Sequence, residues 1–296
     1  MIYRTYAKIN LTLEVLGKRS DGYHDLASLT HTIGLADDLY VEPADEILTR
    51  VEGLELIQNN LVTRAAHVLA AETYTRAGAE LTLVKRIPTA AGLGGGSSDA
   101  ATTLVALNRL WQTRLGYHAL MRLAAQLGSD VPFFVRGGAA VLRGRGDDLQ
   151  ALAPLPVQWL MLAIPEARLT NKTATLYDAL LPSDFSSGAA TAALAARLAQ
   201  GGSLDNDGLV NAFARPARAV FPGLGETWQR LEGRTGQRFH LSGAGPALFT
   251  LASDRADARR LANQANAQGM TAYAVRTVRH ARVSVRLNER ARIEYP

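Results

Sequence analysis

Apolar and polar residues alternate cleanly over residues 7–16, Ala-Lys-Ile-Asn-Leu-Thr-Leu-Glu-Val-Leu, and a period of two predicts a strand. On a regular strand Ile9, Leu11, Leu13 and Val15 share one face, and Lys8, Asn10, Thr12 and Glu14 the other. Ser20-Asp21-Gly22 predicts a turn. From Leu61 to about Ala77, Leu61, Ala65, Val68 and Leu69 recur at helical spacing, with Gly78 as the stop. Leu81-Thr82-Leu83-Val84 is a short strand pattern that runs into Pro88. Beyond a glycine-rich stretch, Ala100, Leu104, Leu107 and Trp111 predict a helix that Ser97 or Ser98 can cap. Leu120, Leu123, Ala124 and Leu127 predict another over roughly 117–127, stopped by Gly128. A buried strand over 137–142 and a turn over 144–148 close this half.

Leu152-Ala153-Pro154-Leu155-Pro156 is the best candidate boundary. After it come a strand over 159–164 and an alanine-rich helix over 189–200 that ends at Gly201-Gly202. The end of the chain reads as strand (238–241), glycine turn, strand (247–251), helix (254–268) and strand (271–277). That order suits a split α/β sandwich with a mixed or antiparallel sheet.

Composition narrows the class. The 296 residues are 47% hydrophobic and 20% charged, as in a globular protein with a real core. No apolar run approaches about 18 residues, so no membrane span is expected, and Met1 to Tyr6 lack the pattern of a signal peptide. The absence of cysteine excludes disulfides, thiolate metal sites and a cysteine nucleophile, and fits a cytoplasmic enzyme. A net charge of +5 suits anionic partners, nucleic acid or phosphorylated metabolites among them. Arg276, Arg279, Arg282, Arg286, Arg290 and Arg292 crowd the last stretch, interrupted by Glu289, and read as the solvated face of a terminal strand or tail. The histidines (His24, His31, His67, His118, His240, His280) form no zinc spacing, and no Gly-x-Ser-x-Gly elbow is present.

The chemistry concentrates in Pro88-Thr89-Ala90-Ala91-Gly92-Leu93-Gly94-Gly95-Gly96-Ser97-Ser98-Asp99. Glycines let a backbone turn with positive φ and approach a ligand closely, and a helix directly after them aims free N–H groups at one point. That is a phosphate site. No Lys-Ser or Lys-Thr follows, so it is not a Walker loop, and it is not the dinucleotide pattern either.

This motif resembles the ATP-phosphate motif of the galactokinase, homoserine kinase, mevalonate kinase and phosphomevalonate kinase (GHMP) superfamily. Ala7-Lys8-Ile9-Asn10 near the start and Ser242-Gly243-Ala244-Gly245-Pro246-Ala247-Leu248-Phe249 near the end resemble two further motifs of that superfamily, in the same order. Arg19-x-Asp21-Gly22-Tyr23-His24 and Gly128-Ser129-Asp130-Val131-Pro132-Phe133-Phe134 resemble more narrowly its 4-diphosphocytidyl-2-C-methyl-D-erythritol kinases, which serve the non-mevalonate route to isoprenoids. The resemblance spans roughly residues 4–278. Tyr6 departs from the usual proline, and Ala244 and Ala247 stand where hydroxyl residues are common.

The resemblance implies an α+β fold in two parts. These are a ribosomal-S5-domain-2-like, ATP-binding sandwich over 1–153 and a ferredoxin-like sandwich over 154–296. It implies ATP with Mg²⁺, bound along Thr89, Ala90, Ala91, Gly92, Leu93, Gly94, Gly95, Gly96, Ser97, Ser98 and Asp99. It implies Asp130 as the base and Lys8 as its cationic neighbour, with Asn10 positioning the substrate, Tyr23 and His24 reading cytosine, and Tyr177 closing the far side of that ring. No metal ligand is legible. Taken singly, Asp130 is an ordinary cap for the helix that Pro132 opens, and Lys8 a solvent-facing strand lysine. The expectation is a cytoplasmic monomer or weak homodimer that binds neither nucleic acid nor membrane. The alternatives are homoserine or mevalonate kinase activity, against which the Gly22-Tyr23-His24 segment argues, and a nucleic-acid-binding module of related fold.

Overall fold

The structure is a computed structural model and describes residues 1–52, 60–279 and 285–286. The first half runs β1 (Ile2–Lys18), β2 (His24–Ala44), β3 (Ile47–Glu52), α1 (Leu61–Thr73), β4 (Gly78–Val84), α2 (Gly95–Leu110), α3 (Tyr117–Leu127), α4 (Val131–Arg136), β5 (Ala139–Gly144) and β6 (Asp148–Ala151). The second runs β7 (Trp159–Ile164), α5 (Lys172–Asp178), α6 (Ala189–Ala199), β8 (Val210–Asn211), α7 (Ala214–Val220), α8 (Leu224–Thr235), β9 (His240–Leu241), β10 (Leu248–Ala252), α9 (Arg255–Asn266), β11 (Thr271–Arg276) and β12 (Val285–Arg286).

Two sheets organise these elements. The larger follows the order β12-β1-β2-β4-β3, and β2 is long enough to pair with β4 through its second half and with β5 through its first. The smaller has the antiparallel order β11-β7-β10-β9. The switch between sheets falls between Ala151 and Trp159, but β8 and β12 return to pair with β1. One core packs Leu69 of α1, Leu104 of α2, Leu123 of α3 and Phe133 of α4 against Leu39 and Leu81 of the larger sheet. A second joins Ile9 and Leu11 of β1 to Leu160, Leu162 and Phe249 of the smaller sheet, so β1 is shared by both halves.

β1 departs from a regular alternation in one decisive place. Its register with β2 shifts between Asn10 (opposite Thr30) and Thr12 (opposite Leu29), which makes Leu11 an extra residue. Side chains beyond such a bulge change faces. Lys8 and Asn10 therefore share a face with Leu13, opposite Thr32, Thr30 and Ser28, and not with Thr12 and Glu14 as the pattern predicts. Thr12 and Glu14 point the other way, onto α6. There the Glu14 carboxylate accepts from Ser186 Oγ at 2.8 Å and Thr191 N at 2.7 Å, and the Thr12 and Thr191 hydroxyls lie 2.8 Å apart.

Other boundaries move for local reasons. α1 stops at Thr73 because Tyr74 turns left-handed, short of Ala77. Gly78 opens β4, since a Cβ there would lie 2.3 Å from the Glu46 backbone N. α2 starts at Gly95 with Gly94 as its cap, so neither Ser97 nor Ser98 caps it. Arg282, Arg290 and Arg292 of the arginine-rich stretch lie outside the described residues.

Candidate active site

The glycine segment links β4 to α2. Gly92 and Gly94 have φ of 84° and 70°. A Cβ on Gly92 would come within 2.1 Å of the Ser242 carbonyl, and one on Gly94 within 2.7 Å of the Phe134 ring. Gly95 is different: it is already helical, and its constraint is a would-be Cβ 2.9 Å from Ile87 Cγ2. Ala90 also sits in the left-handed region, at φ 55°, a conformation that costs an L-residue roughly 1–2 kcal/mol.

Neighbours hold the segment in place. Lys8 N donates to Leu93 O at 2.9 Å, Ala247 N to Ala91 O at 3.0 Å, and Ser242 Oγ to Gly92 O at 3.0 Å. The first intrahelical bond of α2 runs from Ser98 N to Gly94 O, which leaves the amides of Gly95, Gly96 and Ser97 without a helical partner. They lie at the positive end of a 16-residue helix, where a phosphate is favoured.

Two cavities adjoin here. One, of about 410 Å³, is lined by every residue from Thr89 to Ser97 and by Asp99. Ser98 does not line it and is buried. The second, of about 770 Å³, is lined by Asn10, Tyr23, His24 and Tyr177 together with Lys18, Ser28 and Arg145. They share four residues: Lys8, Asp130, Thr173 and Ala244.

At that junction Lys8 Nζ lies 3.8 Å from Asp130 Oδ2. Lys8 is only 5% exposed, so the solvent-facing reading of this residue fails. Burial lowers its pKa, and the Asp130 carboxylate works against that shift. Asp130 occupies the N-cap position of α4, but its side chain makes no capping bond and stays free to face the cavities. Asn10 donates through Nδ2 to Ser28 Oγ (2.8 Å) and Thr30 Oγ1 (3.1 Å), which turns its Oδ1 toward Lys8 Nζ, from which it accepts a hydrogen bond. Asn10 thereby aims the lysine.

The aromatic side chains gather at the far end of the larger cavity. His24 and Tyr177 stack on each other with centroids 4.3 Å apart and planes 11° apart, so no base lies between those two rings. Tyr23 is 57% exposed, and the Arg145 guanidinium lies 5.0 Å from its ring centre. Burial and the charge of Lys18 lower the His24 pKa.

Asp99 is expected from the glycine motif, whereas Lys85 and Lys172 carry no signal in the sequence. Asp99 lines the nucleotide cavity, but Thr5 Oγ1 and Lys85 Nζ (2.7 Å) donate to its carboxylate, so it braces the loop. Lys85 also donates to Asp37, whose other oxygen accepts from the Arg86 and Ile87 amides. Burial pushes the Asp99 carboxyl up to about 7, with the neighbouring Asp37 carboxylate adding to the shift and the Lys85 ammonium opposing it. Lys172, at the start of α5, reaches back to the glycine segment. Nothing in the apolar pattern marks these lysines, because their partners are distant in sequence.

Comparison with known proteins extends this picture. Residues 60–138 match the family described as GHMP kinases N terminal domain, and residues 189–270 match GHMP kinases C terminal. The 4-diphosphocytidyl-2-C-methyl-D-erythritol kinase of Dehalococcoides mccartyi (strain ATCC BAA-2266 / KCTC 15142 / 195) is 40% identical over 92% of this chain and 96% of its own. That of Pelotomaculum thermopropionicum is 43% identical over 86% of this chain and 90% of its own. A crystal structure of 4-(cytidine 5'-diphospho)-2C-methyl-D-erythritol kinase superposes with a TM-score of 0.80 at 37% identity, covering 94% of this chain and 99% of that one. Homoserine kinase from Cytophaga hutchinsonii shares the fold at a TM-score of 0.69 and 17% identity. The chain therefore belongs to the GHMP kinases and, within them, to the 4-diphosphocytidyl-2-C-methyl-D-erythritol kinase family.

Proposed function

We propose that this protein transfers the γ-phosphoryl group of ATP to the 2-hydroxyl of 4-diphosphocytidyl-2-C-methyl-D-erythritol, on the non-mevalonate route to isopentenyl diphosphate. The observation that carries this reading is the meeting of two cavities at Lys8 and Asp130. ATP occupies the smaller, with its phosphates along residues 89–97 and the free amides of α2. The cytidyl substrate occupies the larger, its base near Tyr23 and His24 and its polyol at the junction.

Asp130 accepts the proton of the hydroxyl as its oxygen attacks the γ-phosphorus, and ADP leaves. Lys8, aimed by Asn10, faces the charge that grows on the attacking oxygen and the transferring group. Its partial desolvation strengthens that interaction. Mg²⁺ accompanying ATP would neutralise phosphate charge. Ser97 and Asp130 offer oxygen donors along the nucleotide cavity, and such ions commonly keep water and phosphate ligands besides one or two carboxylates. Among the described residues no cluster of three or more acidic or histidine side chains forms a cage for a metal.

We place the division between the two parts at 153/154, where the chain leaves the larger sheet for the smaller. Among the described residues no helix is long and apolar enough to cross a membrane. Both substrates are charged metabolites that do not cross membranes unaided, so we place the reaction in the cytoplasm, without a nucleic-acid partner. The test is ATP consumption with the cytidyl substrate, mevalonate and homoserine in parallel. Turnover confined to the cytidyl compound, with a new phosphomonoester in its ³¹P spectrum, is the expected result; turnover confined to either of the others overturns the reading.

A further inference from the structure

The two glycine loops that flank the nucleotide cavity come from opposite halves of the chain, and one side chain touches both. Lys172 Nζ donates to Ala90 O at 2.6 Å and to Gly245 O at 2.6 Å. Ala90 and Gly245 each adopt positive φ, 55° and 64°. Ala90 has no glycine-like freedom, so its left-handed turn must be held from outside. An ammonium has three donors. Two are spent on these carbonyls, and the third is left for the cavity that Lys172 lines with Lys8 and Asp130.

We infer that Lys172 is a positioning residue for phosphoryl transfer, a clamp that fixes the Ala90 turn against the Gly245 turn and thereby sets where ATP phosphates lie relative to Asp130. The inference rests on the proposed kinase reaction. The clamp is strongest while the amine is charged, because a neutral amine keeps two N–H groups but loses the charge that strengthens both bonds. Burial and the positive charge of Lys8 lower the Lys172 pKa to about 8, with Asp130 opposing. Lys85 and Asp99 also line this cavity. Because the folded pKa lies below that of an ordinary lysine, the clamp is at full strength at neutral pH and weakens as pH rises through about 8.

The experiment compares the wild-type protein with Lys172→Met and Lys172→Arg, measuring kcat, both Michaelis constants, affinity for a fluorescent ATP analogue, and the pH profile of kcat/KM for ATP. That ratio reports ionisations of the free enzyme. For Lys172→Met we expect kcat to fall by about 10–100-fold and KM for ATP to rise by about tenfold, with the Michaelis constant of the cytidyl substrate little changed. Lys172→Arg should recover part of the rate and should lose the alkaline fall near pH 8, because arginine stays charged. Wild-type kinetics in Lys172→Met overturn the inference. If Lys172→Met does not fold, an unchanged alkaline limb in Lys172→Arg overturns it equally. A wild-type protein inactive on the cytidyl substrate, yet binding the ATP analogue more tightly than Lys172→Met, would instead retire the proposed reaction and leave the clamp standing.

Discussion

At the scale of single residues, the site separates groups that react from groups that aim them. Asp130→Asn keeps the shape of the α4 start and removes a proton acceptor. We expect turnover to drop by about 10²–10⁴ with ATP affinity nearly unchanged. Near-full activity would return Asp130 to the role of a helix cap, although it makes no capping bond. Tyr23→Ala tests the other end. The ring is exposed beside Arg145, and stacking of a base on an aromatic face contributes about 1–3 kcal/mol. The Michaelis constant for the cytidyl substrate should rise while that for ATP stays level, as read from paired steady-state titrations. Because His24 and Tyr177 already stack on one another, Tyr177→Ala should act partly by releasing His24.

Among the elements, α6 is joined to β1 through a buried carboxylate. Burial disfavours the charge on Glu14, but hydrogen bonds from Thr191 and Ser186 outweigh it and lower the pKa. A carboxylate with a lowered folded pKa contributes stability above its unfolded pKa and loses it as pH falls through the folded value. Glu14→Gln should therefore lower the melting temperature at pH 7, and the difference from wild type should shrink below the ordinary glutamate range. A difference that stays constant with pH would show that the charge is not what matters. The glycine segment makes a second prediction at this scale. Gly92→Val should abolish binding of an ATP analogue, because the turn is left-handed and the Ser242 carbonyl fills the space. Gly95→Val should weaken it by displacing Ile87 and the start of α2, not by resisting a turn. If Gly92→Val binds the analogue as wild type does, the phosphates lie elsewhere.

For the whole molecule, the sequence is most informative where contacts are local. The periods over 117–127 and 159–164 coincide with α3 and β7. The glycine segment announces its own turn, since its chemistry is written into consecutive residues. β2 is less legible: Ser28, Thr30, His31, Thr32 and Asp37 are buried along it, so apolar alternation fails on a strand covered on both sides. α5 and α7, of seven residues each, are too short for a usable period, whereas Leu224, Trp228 and Leu231 recur at helical spacing along α8. The pairing of Lys172 with Ala90 and Gly245, and of Lys85 with Asp37 and Asp99, depends on how two sheets meet and leaves no trace in spacing. Because Ile9 and Leu11 share a core with Leu160 and Phe249, the two halves should unfold together. Trp111 lies in the first half, and Trp159 and Trp228 in the second. A Trp111→Phe variant followed by fluorescence and by circular dichroism should give coincident urea transitions. Two separated midpoints would mean that the shared core does not couple the halves.

The extra residue at Leu11 in β1 gives this strand a parity. An alternating strand carries one bit of information per position, inward or outward, and inserting one residue inverts every bit beyond it. Here the inversion lets a single continuous strand offer Lys8 and Asn10 to the reaction and Thr12 and Glu14 to the scaffold, on opposite sides. Pairing Leu11 into the ladder, with no residue bulged out, would restore the plain alternation that the sequence pattern suggests. With Glu14 still docked on α6, it would carry Lys8 and Asn10 onto the α6 side of the sheet, and the loss of activity would come without removal of any reacting group.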